Sequence, residues 1–258
     1  MNGNGLMFWV SGFLLIYGAW ALTRLVPEYA EEMWRRKESG TEPMVDRFTA
    51  ASFAFQNLFR NQHPSLPARP STWFIVLGTV LIVLDYRAFG SSPLGFASQI
   101  FLLSQMVLGT ICYKHGFLPD VVLLPLAATG LCLGATGHLL TPAAVMWGLL
   151  VGGGVFFASS IFSVVSKGTA GVSEGVIKHA AAVGVWLGPA GSLTVLLFSS
   201  VIGGFGIMAV RKLMGRPIEG DANFGPIYAA TATLVFLGNQ MIPNSMPFSF
   251  LNATFGVG

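Results

Sequence analysis

The residues that could do chemistry in this chain gather in two short stretches of an otherwise apolar sequence. One is "CYKHGFLPD", from Cys112 to Asp120, and the other is "SEGVIKH", from Ser173 to His179. Between them they contain a thiol, the carboxylates of Asp120 and Glu174, ammonium groups and imidazoles. Ionisable side chains inside a membrane are functional candidates because they are costly to bury. Two carboxyls held close together could share one proton and act as general acid and general base.

The amino-acid composition indicates the class of protein in which these residues lie. The chain is 53% hydrophobic and only 10% charged, whereas a soluble domain has about 25% charged residues. Several apolar runs approach or exceed roughly 18 residues, the length that spans a bilayer. The alternating segments of a membrane β-barrel are absent from the sequence pattern. We therefore predict an all-α, polytopic membrane bundle, and we expect the first apolar run to be retained because no basic signal-peptide region precedes it.

The apolar runs predict about eight transmembrane helices, with both termini outside. The predicted spans are residues 6–25, 73–87, 94–113, 118–139, 142–165, 175–188, 190–211 and 225–242. This topology places every Lys and Arg of the 14 in the chain on the inner side, except Arg87. Such an asymmetry follows the positive-inside rule. The net charge of +3 is explained by orientation and predicts no nucleic-acid partner.

The remaining segments suggest a single membrane domain over residues 1–258 with one large inner loop, residues 26–72. "PEYAEEMWRRKESG" predicts a short solvated helix with i,i+4 ion pairs. "DRFTAASFAFQNLFRN" predicts an amphipathic helix that lies in the headgroup plane or packs on the inner ends of the bundle. The glycines of "GLLVGGGVFF" indicate close helix packing. Asp85 and Arg87 are interpreted as markers of the outer end of the second span.

Four motifs, in order, resemble those of the type IV prepilin leader peptidases, which are membrane aspartyl proteases. Arg24-Leu25-Val26-Pro27 is similar to the family's Arg-Leu-Pro after the first span. "CYKHGFLPDVVLLPLAATGL" resembles its Asp, polar turn and "LPD", and "SEGVIKHAAAVGVWLG" resembles "GxGDxKLxAAxGAWLG". Phe224-Gly225-Pro226 matches its late "FGP". The resemblance covers most of the chain and implies an eight-span bundle.

The resemblance also implies which positions carry the family's chemistry. The two catalytic aspartates fall at Cys112 and Val176, and Ser173 replaces a motif glycine. The implied binding loop contains the following residues: Gly171, Ser173, Gly175, Lys178 and Pro119. Valine cannot transfer a proton, and a thiol in apolar surroundings is a poor substitute for a carboxylate. The family mechanism therefore predicts no useful peptidase activity for this chain.

Other residues leave further mechanisms open. Asp120 and Glu174 are the nearest acids and would be the members of a relocated pair. A cysteine protease at Cys112 would need the imidazole of His115 or His179. Many family members also methylate pilins and bind zinc through a cysteine tetrad in the first inner loop, but residues 26–72 contain no Cys. We therefore expect no zinc site, no other metal and no cofactor.

Two functions compete at this stage. The first is a pseudopeptidase of the bacterial inner membrane, which binds a prepilin-like transmembrane helix or scaffolds other membrane subunits of a pilus or secretion complex. The alternative is a prepilin peptidase of which this chain is an acid-substituted variant. A small-solute transporter is disfavoured because paired discontinuous helices with polar midplane sites are not predicted.

Overall fold

The computed structural model describes residues 3–38, 71–167, 172–206 and 224–241, and all regular elements in these ranges are helices. The helices are α1 (Gly3–Glu38), α2 (Thr72–Phe89), α3 (Pro93–His115), α4 (Asp120–Ala135), α5 (Pro142–Lys167), α6 (Glu174–Val201) and α7 (Phe224–Met241). A π-helical turn, Ile202–Gly206, follows α6 directly. The predicted all-α class is confirmed.

Five of these helices, α1, α2, α3, α5 and α6, are long and apolar enough to cross a bilayer when each is taken over its whole length. Helix α4 is apolar but shorter. The protein is thus a multi-pass membrane protein. The count of eight spans and the outward position of both termini stay predictions.

Helix α6 is divided at Gly188, whose φ of 67° and ψ of −175° are not helical. A Cβ built on Gly184 would lie 3.1 Å from Ser192 Oγ, although eight residues of straight helix span about 12 Å. The chain therefore folds back at Gly188, and the two segments of α6 run side by side. Glycine adopts this positive φ without the steric cost that a Cβ brings, and Pro189 begins the second segment. The break lies where the sequence predicts one span to end and the next to begin.

The helix boundaries follow from capping residues at several turns. Ser71 and Ser92 accept hydrogen bonds from the backbone N–H groups of Phe74 and Gly95, at the starts of α2 and α3. Such side-chain caps satisfy N–H groups that have no partner within the helix. Helix α1 continues through Pro27 to Glu38 as one helix, so the expected boundary between the first span and a separate short helix is absent. The predicted amphipathic helix over residues 46–61 lies outside the described residues.

The centre of the bundle is formed by α3, α6 and α7. The Phe101 ring lies 5.1 Å from the Trp186 ring and 4.6 Å from the Phe236 ring, measured between centroids. Helices α1 and α2 pack on α3, and α5 packs on α6. The contact of α5 with α6 uses small residues spaced four apart, Gly148 and Gly152 against Gly184 and Ala180, as the glycine pattern predicts.

Asp85 corrects one interpretation made from the sequence. It was expected to mark the outer end of a span, but its side chain is fully buried between α2 and α3. The hydroxyl of Ser98 lies within hydrogen-bond distance of its Oδ1 atom. The burial arises because Ser98 and Asp85 face each other across the short turn that joins the two helices.

Candidate functional site

The site predicted from the sequence lies where α3 ends, α4 begins and α6 begins. Helix α3 ends at Gly116, which adopts a left-handed conformation with φ of 74°, a common way to end a helix. Its N–H group donates a hydrogen bond of 2.9 Å to the carbonyl of Cys112. Cys112 is 3% exposed. Pro119 then takes the N-cap position of α4, with Asp120 as the first helical residue.

The other half of the site is the first turn of α6. Ser173 is the N-cap residue, it is exposed, and its hydroxyl makes no capping hydrogen bond. Its carbonyl accepts a hydrogen bond of 3.1 Å from the N–H of Val176. Gly175, expected in a flexible loop, is helical, and an added Cβ would lie 3.1 Å from the Cβ of Leu118. Gly171, the remaining loop glycine of the prediction, lies outside the described residues.

Helices α3 and α6 run antiparallel and contact each other through side chains. His179 Nε2 lies 2.8 Å from Gln105 Oε1, and the rings of Phe101 and Trp186 meet further along. Residues three or seven apart lie on nearly the same face of a helix. Cys112 is seven residues past Gln105, and Val176 is three residues before His179. Both positions therefore belong to the facing sides of the two helices, at the same end of the bundle.

Lys178 joins the two acidic residues proposed as a relocated pair. Its Nζ atom lies 3.0 Å from Asp120 Oδ2 and 3.2 Å from Oδ1, so it donates to both oxygens. The same Nζ lies 2.6 Å from Glu174 Oε1. Lys178 and Asp120 are partly exposed and Glu174 is more so. This cluster ties the start of α4 to the start of α6 and contacts water at the end of the bundle.

A buried polar cluster next to the site was missed in part by sequence reasoning. It comprises Gln105, His179 and Tyr228, and the His179 and Tyr228 rings lie 5.2 Å apart. Among the described residues, Gln105 Nε2, His179 Nδ1 and the Tyr228 hydroxyl have no hydrogen-bond partner. The motif after Ser173 indicates His179, whereas none of the motifs contains Gln105. A polar residue within an apolar run, seven positions before Cys112, is the signal that could have identified it.

Within the described residues, the acids and imidazoles near the site are not grouped as a metal centre. Within the four described ranges, no three His, Cys, Asp or Glu side chains are grouped as metal ligands would be. The polar groups instead pair with one another. The Lys178 ammonium pairs with Asp120 of α4 and with Glu174 of its own helix at the surface, and the His179 imidazole pairs with the Gln105 amide oxygen in the interior.

Comparisons with known proteins agree on one family. Residues 99–208 match the model of the type IV leader peptidase family. A prepilin leader peptidase/N-methyltransferase of Xanthomonas campestris pv. campestris is 29% identical over 182 residues, which are 68% of this chain and 62% of the relative. Proteins of the same name from Burkholderia pseudomallei strains 1026b and K96243 are each 31% identical over 151 residues, 57% of this chain and 48% of the relative.

The matched region includes every predicted site residue. The alignments cover between 43% and 62% of the length of the curated relatives, so the chain spans about half of those proteins. No solved structure is significantly similar to it.

Proposed function

We propose that the protein, whose residues 99–208 match the model of the type IV leader peptidase family, is an inactive member that binds a prepilin-like transmembrane helix without cleaving it. It would do so in the inner membrane of a bacterium, as a subunit of a pilus or secretion complex. The proposal rests on Cys112 and Val176, which the resemblance places at the family's two aspartate positions, within a packed helical frame.

The chemistry of peptide hydrolysis supports the absence of cleavage. An aspartyl pair needs one carboxylate to take a proton from water and one carboxylic acid to donate a proton to the carbonyl. Each such contribution is worth about 10²–10⁴-fold in rate. Val176 can perform neither step. Cys112 is buried, and neither ring nitrogen of His179 pairs with its thiol, since Nε2 contacts Gln105 and Nδ1 has no hydrogen-bond partner among the described residues; this argues against a thiolate mechanism as well.

The neighbouring carboxylates are poorly arranged to replace the lost pair. Asp120 and Glu174 both lie within 3.0 Å of the ammonium nitrogen of Lys178. An aspartyl pair needs its two carboxyls to share one proton directly. Here a cation stands between them, so each carboxylate is engaged in a salt bridge. This arrangement supports a structural role in which the cluster holds α4 against α6.

The helical frame around the lost acids supports retention of binding. Helices α3, α4 and α6 are joined near the site by the hydrogen bond of His179 to Gln105, the salt bridge of Lys178 to Asp120 and the close packing of Gly175 on Leu118. A helical frame that no longer bound a ligand would not need to keep these specific contacts. The proposed ligand is a single apolar helix whose polar end reaches this end of the bundle.

Restoring the acids separates the proposal from its alternatives. The parent chain, the Cys112→Asp/Val176→Asp variant and a triple variant with Ser173→Gly are incubated with a prepilin in lipid vesicles, and leader removal is followed by mass spectrometry. We expect no cleavage by the parent and cleavage by the restored variants. The matched control is Cys112→Asn/Val176→Asn, which has nearly the same shape but cannot transfer protons.

Each outcome has a distinct meaning. Cleavage by the parent would refute the proposal and support an active peptidase, and Asp120→Asn and Glu174→Gln would then identify its acids. Binding is measured separately, by photocrosslinking the prepilin helix to the inactive parent. Absence of both crosslinking and restored cleavage would refute helix binding, and co-purification of other membrane subunits would then support a scaffold.

A further inference from the structure

A second polar site lies at the opposite end of the bundle from Cys112, where α2 meets α3. Its centre is Asp85, which is 0% exposed, as is its partner Ser98. At the same level, Gln99 Nε2 donates a hydrogen bond of 3.3 Å to the carbonyl of Phe8, and Ser11 Oγ lies 2.8 Å from that carbonyl oxygen and 3.1 Å from Gln99 Oε1. Three helices thus meet in a polar layer within an apolar bundle.

Two oxygen atoms lie within hydrogen-bond distance of the Ser98 hydroxyl, which has one proton to donate. Its Oγ atom is within hydrogen-bond distance of Asp85 Oδ1 and is 2.9 Å from the carbonyl oxygen of Gly95. A serine hydroxyl carries one proton, and a backbone carbonyl can only accept. If Ser98 donates to Gly95, the contact with Asp85 requires a second proton. Only the carboxyl of Asp85 can supply it.

The second oxygen of the carboxyl leads to the same conclusion. Asp85 Oδ2 has no hydrogen-bond partner in the described part of the chain. No described residue forms an ion pair with Asp85, although Arg87 lies two positions along the same helix. An ionised carboxylate buried without a countercharge or a full set of hydrogen bonds is very costly. A neutral acid avoids this cost.

We propose that Asp85 is a proton-binding site: a neutral carboxylic acid whose O–H donates to Ser98 Oγ, while the Ser98 hydroxyl donates to Gly95. The ligand is a proton rather than a metal ion. Hard cations take six or more oxygen ligands, whereas among the described residues the side-chain oxygen that hydrogen-bonds to this carboxyl is that of Ser98. The bound proton completes the connection between α2 and α3, independently of any activity at the other end of the bundle.

The proton can be observed directly by infrared spectroscopy of the purified protein in lipid at neutral pH. A protonated carboxylic acid has a carbonyl stretching band that is separate from the carboxylate bands. We expect this band in the parent and its loss in Asp85→Asn, whose amide N–H can donate to Ser98 in the same way and so preserve the fold. Ser98→Ala should keep the band but shift it, because the acid loses its acceptor.

Asp120→Asn is the matched control, because Asp120 is partly exposed and paired with Lys178; the band should be unchanged in this variant. If Asp85→Asn does not fold, parent protein labelled with ¹³C at the aspartate carboxyls provides the test, since the band must then shift with the label. Absence of the band from the parent, or its persistence in folded Asp85→Asn, would overturn the proposal. A band that fails to shift with the label would do the same.

Discussion

The contact between α5 and α6 allows a sharp prediction for Gly184→Ala. A Cβ on Gly184 would meet the backbone carbonyl of Gly148, and its next contact would be Ser192 Oγ at 3.1 Å. Backbone atoms cannot rotate away as the end of a flexible side chain can, so α5 would have to move. Forcing extra volume into a packed interior costs about 1–3 kcal/mol, occasionally more.

This cost is opposed by a smaller gain. Replacing glycine by alanine within a helix is worth up to about 1 kcal/mol, so we expect a net loss of about 1–2 kcal/mol for Gly184→Ala. For a chain of this size, each kcal/mol lowers the Tm by roughly 2–4 °C. The expected decrease is several degrees, measured by intrinsic fluorescence of the detergent-solubilised protein during heating.

Gly154→Ala on α5 is the matched control, because an added Cβ there meets nothing within 4 Å. It should leave the Tm unchanged or raise it slightly. If Gly184→Ala proves as stable as Gly154→Ala, the close backbone approach of α5 and α6 is not present in the membrane protein.

Three further perturbations test the site and its surroundings. Lys178→Met should lower the free energy of unfolding by less than about 1 kcal/mol, since its salt bridges are partly exposed; a larger loss, or one insensitive to salt, would contradict this. Trp186→Phe should cost about 1–3 kcal/mol in chemical unfolding, because the 2.8 Å hydrogen bond to the carbonyl of Leu126 disappears from a buried site; an unchanged midpoint would argue against that bond. Val176→Cys, made in a Cys132→Ser background because Cys132 is exposed, should crosslink to Cys112 with a bifunctional thiol reagent that spans about 10 Å, the helix-packing distance. Absence of the crosslink would refute the register of α3 and α6.

The features predictable from the sequence are those that depend on local pattern. Apolar runs predict helices, Gly188-Pro189 predicts the break in α6, and the spacing of Gly148 and Gly152 predicts close packing. The motifs around Cys112 and Val176 lie within the region that matches the type IV leader peptidase model. Each of these signals is contained within a few consecutive residues.

The features that could not be predicted depend on pairs that are distant in sequence. Lys178 and Asp120 are separated by 58 positions, so their salt bridge follows only from the folded arrangement of α4 and α6. Asp85 looks like an interfacial acid until Ser98 is placed against it. Pro27 predicts a helix end, but its fixed φ is compatible with a helix, and only one backbone hydrogen bond is lost.

The reversal at Gly188 has a consequence for the lipid around the protein. The first segment of α6, residues 174–187, is about 21 Å long at 1.5 Å per residue, whereas the hydrocarbon core of a bilayer is about 30 Å thick. The turn packs against Leu140, whose Cδ1 atom would lie 3.4 Å from a Cβ added at Gly188. Leu140 lies in the connection that follows α4, which is similarly short. Two short elements side by side force the bilayer to thin locally or draw headgroups inward. At this turn the Gly188 carbonyl is hydrogen-bonded within the protein, since it accepts from Ser192 Oγ at 2.7 Å. On this flank the protein would therefore deform the membrane and shorten the distance between its two surfaces.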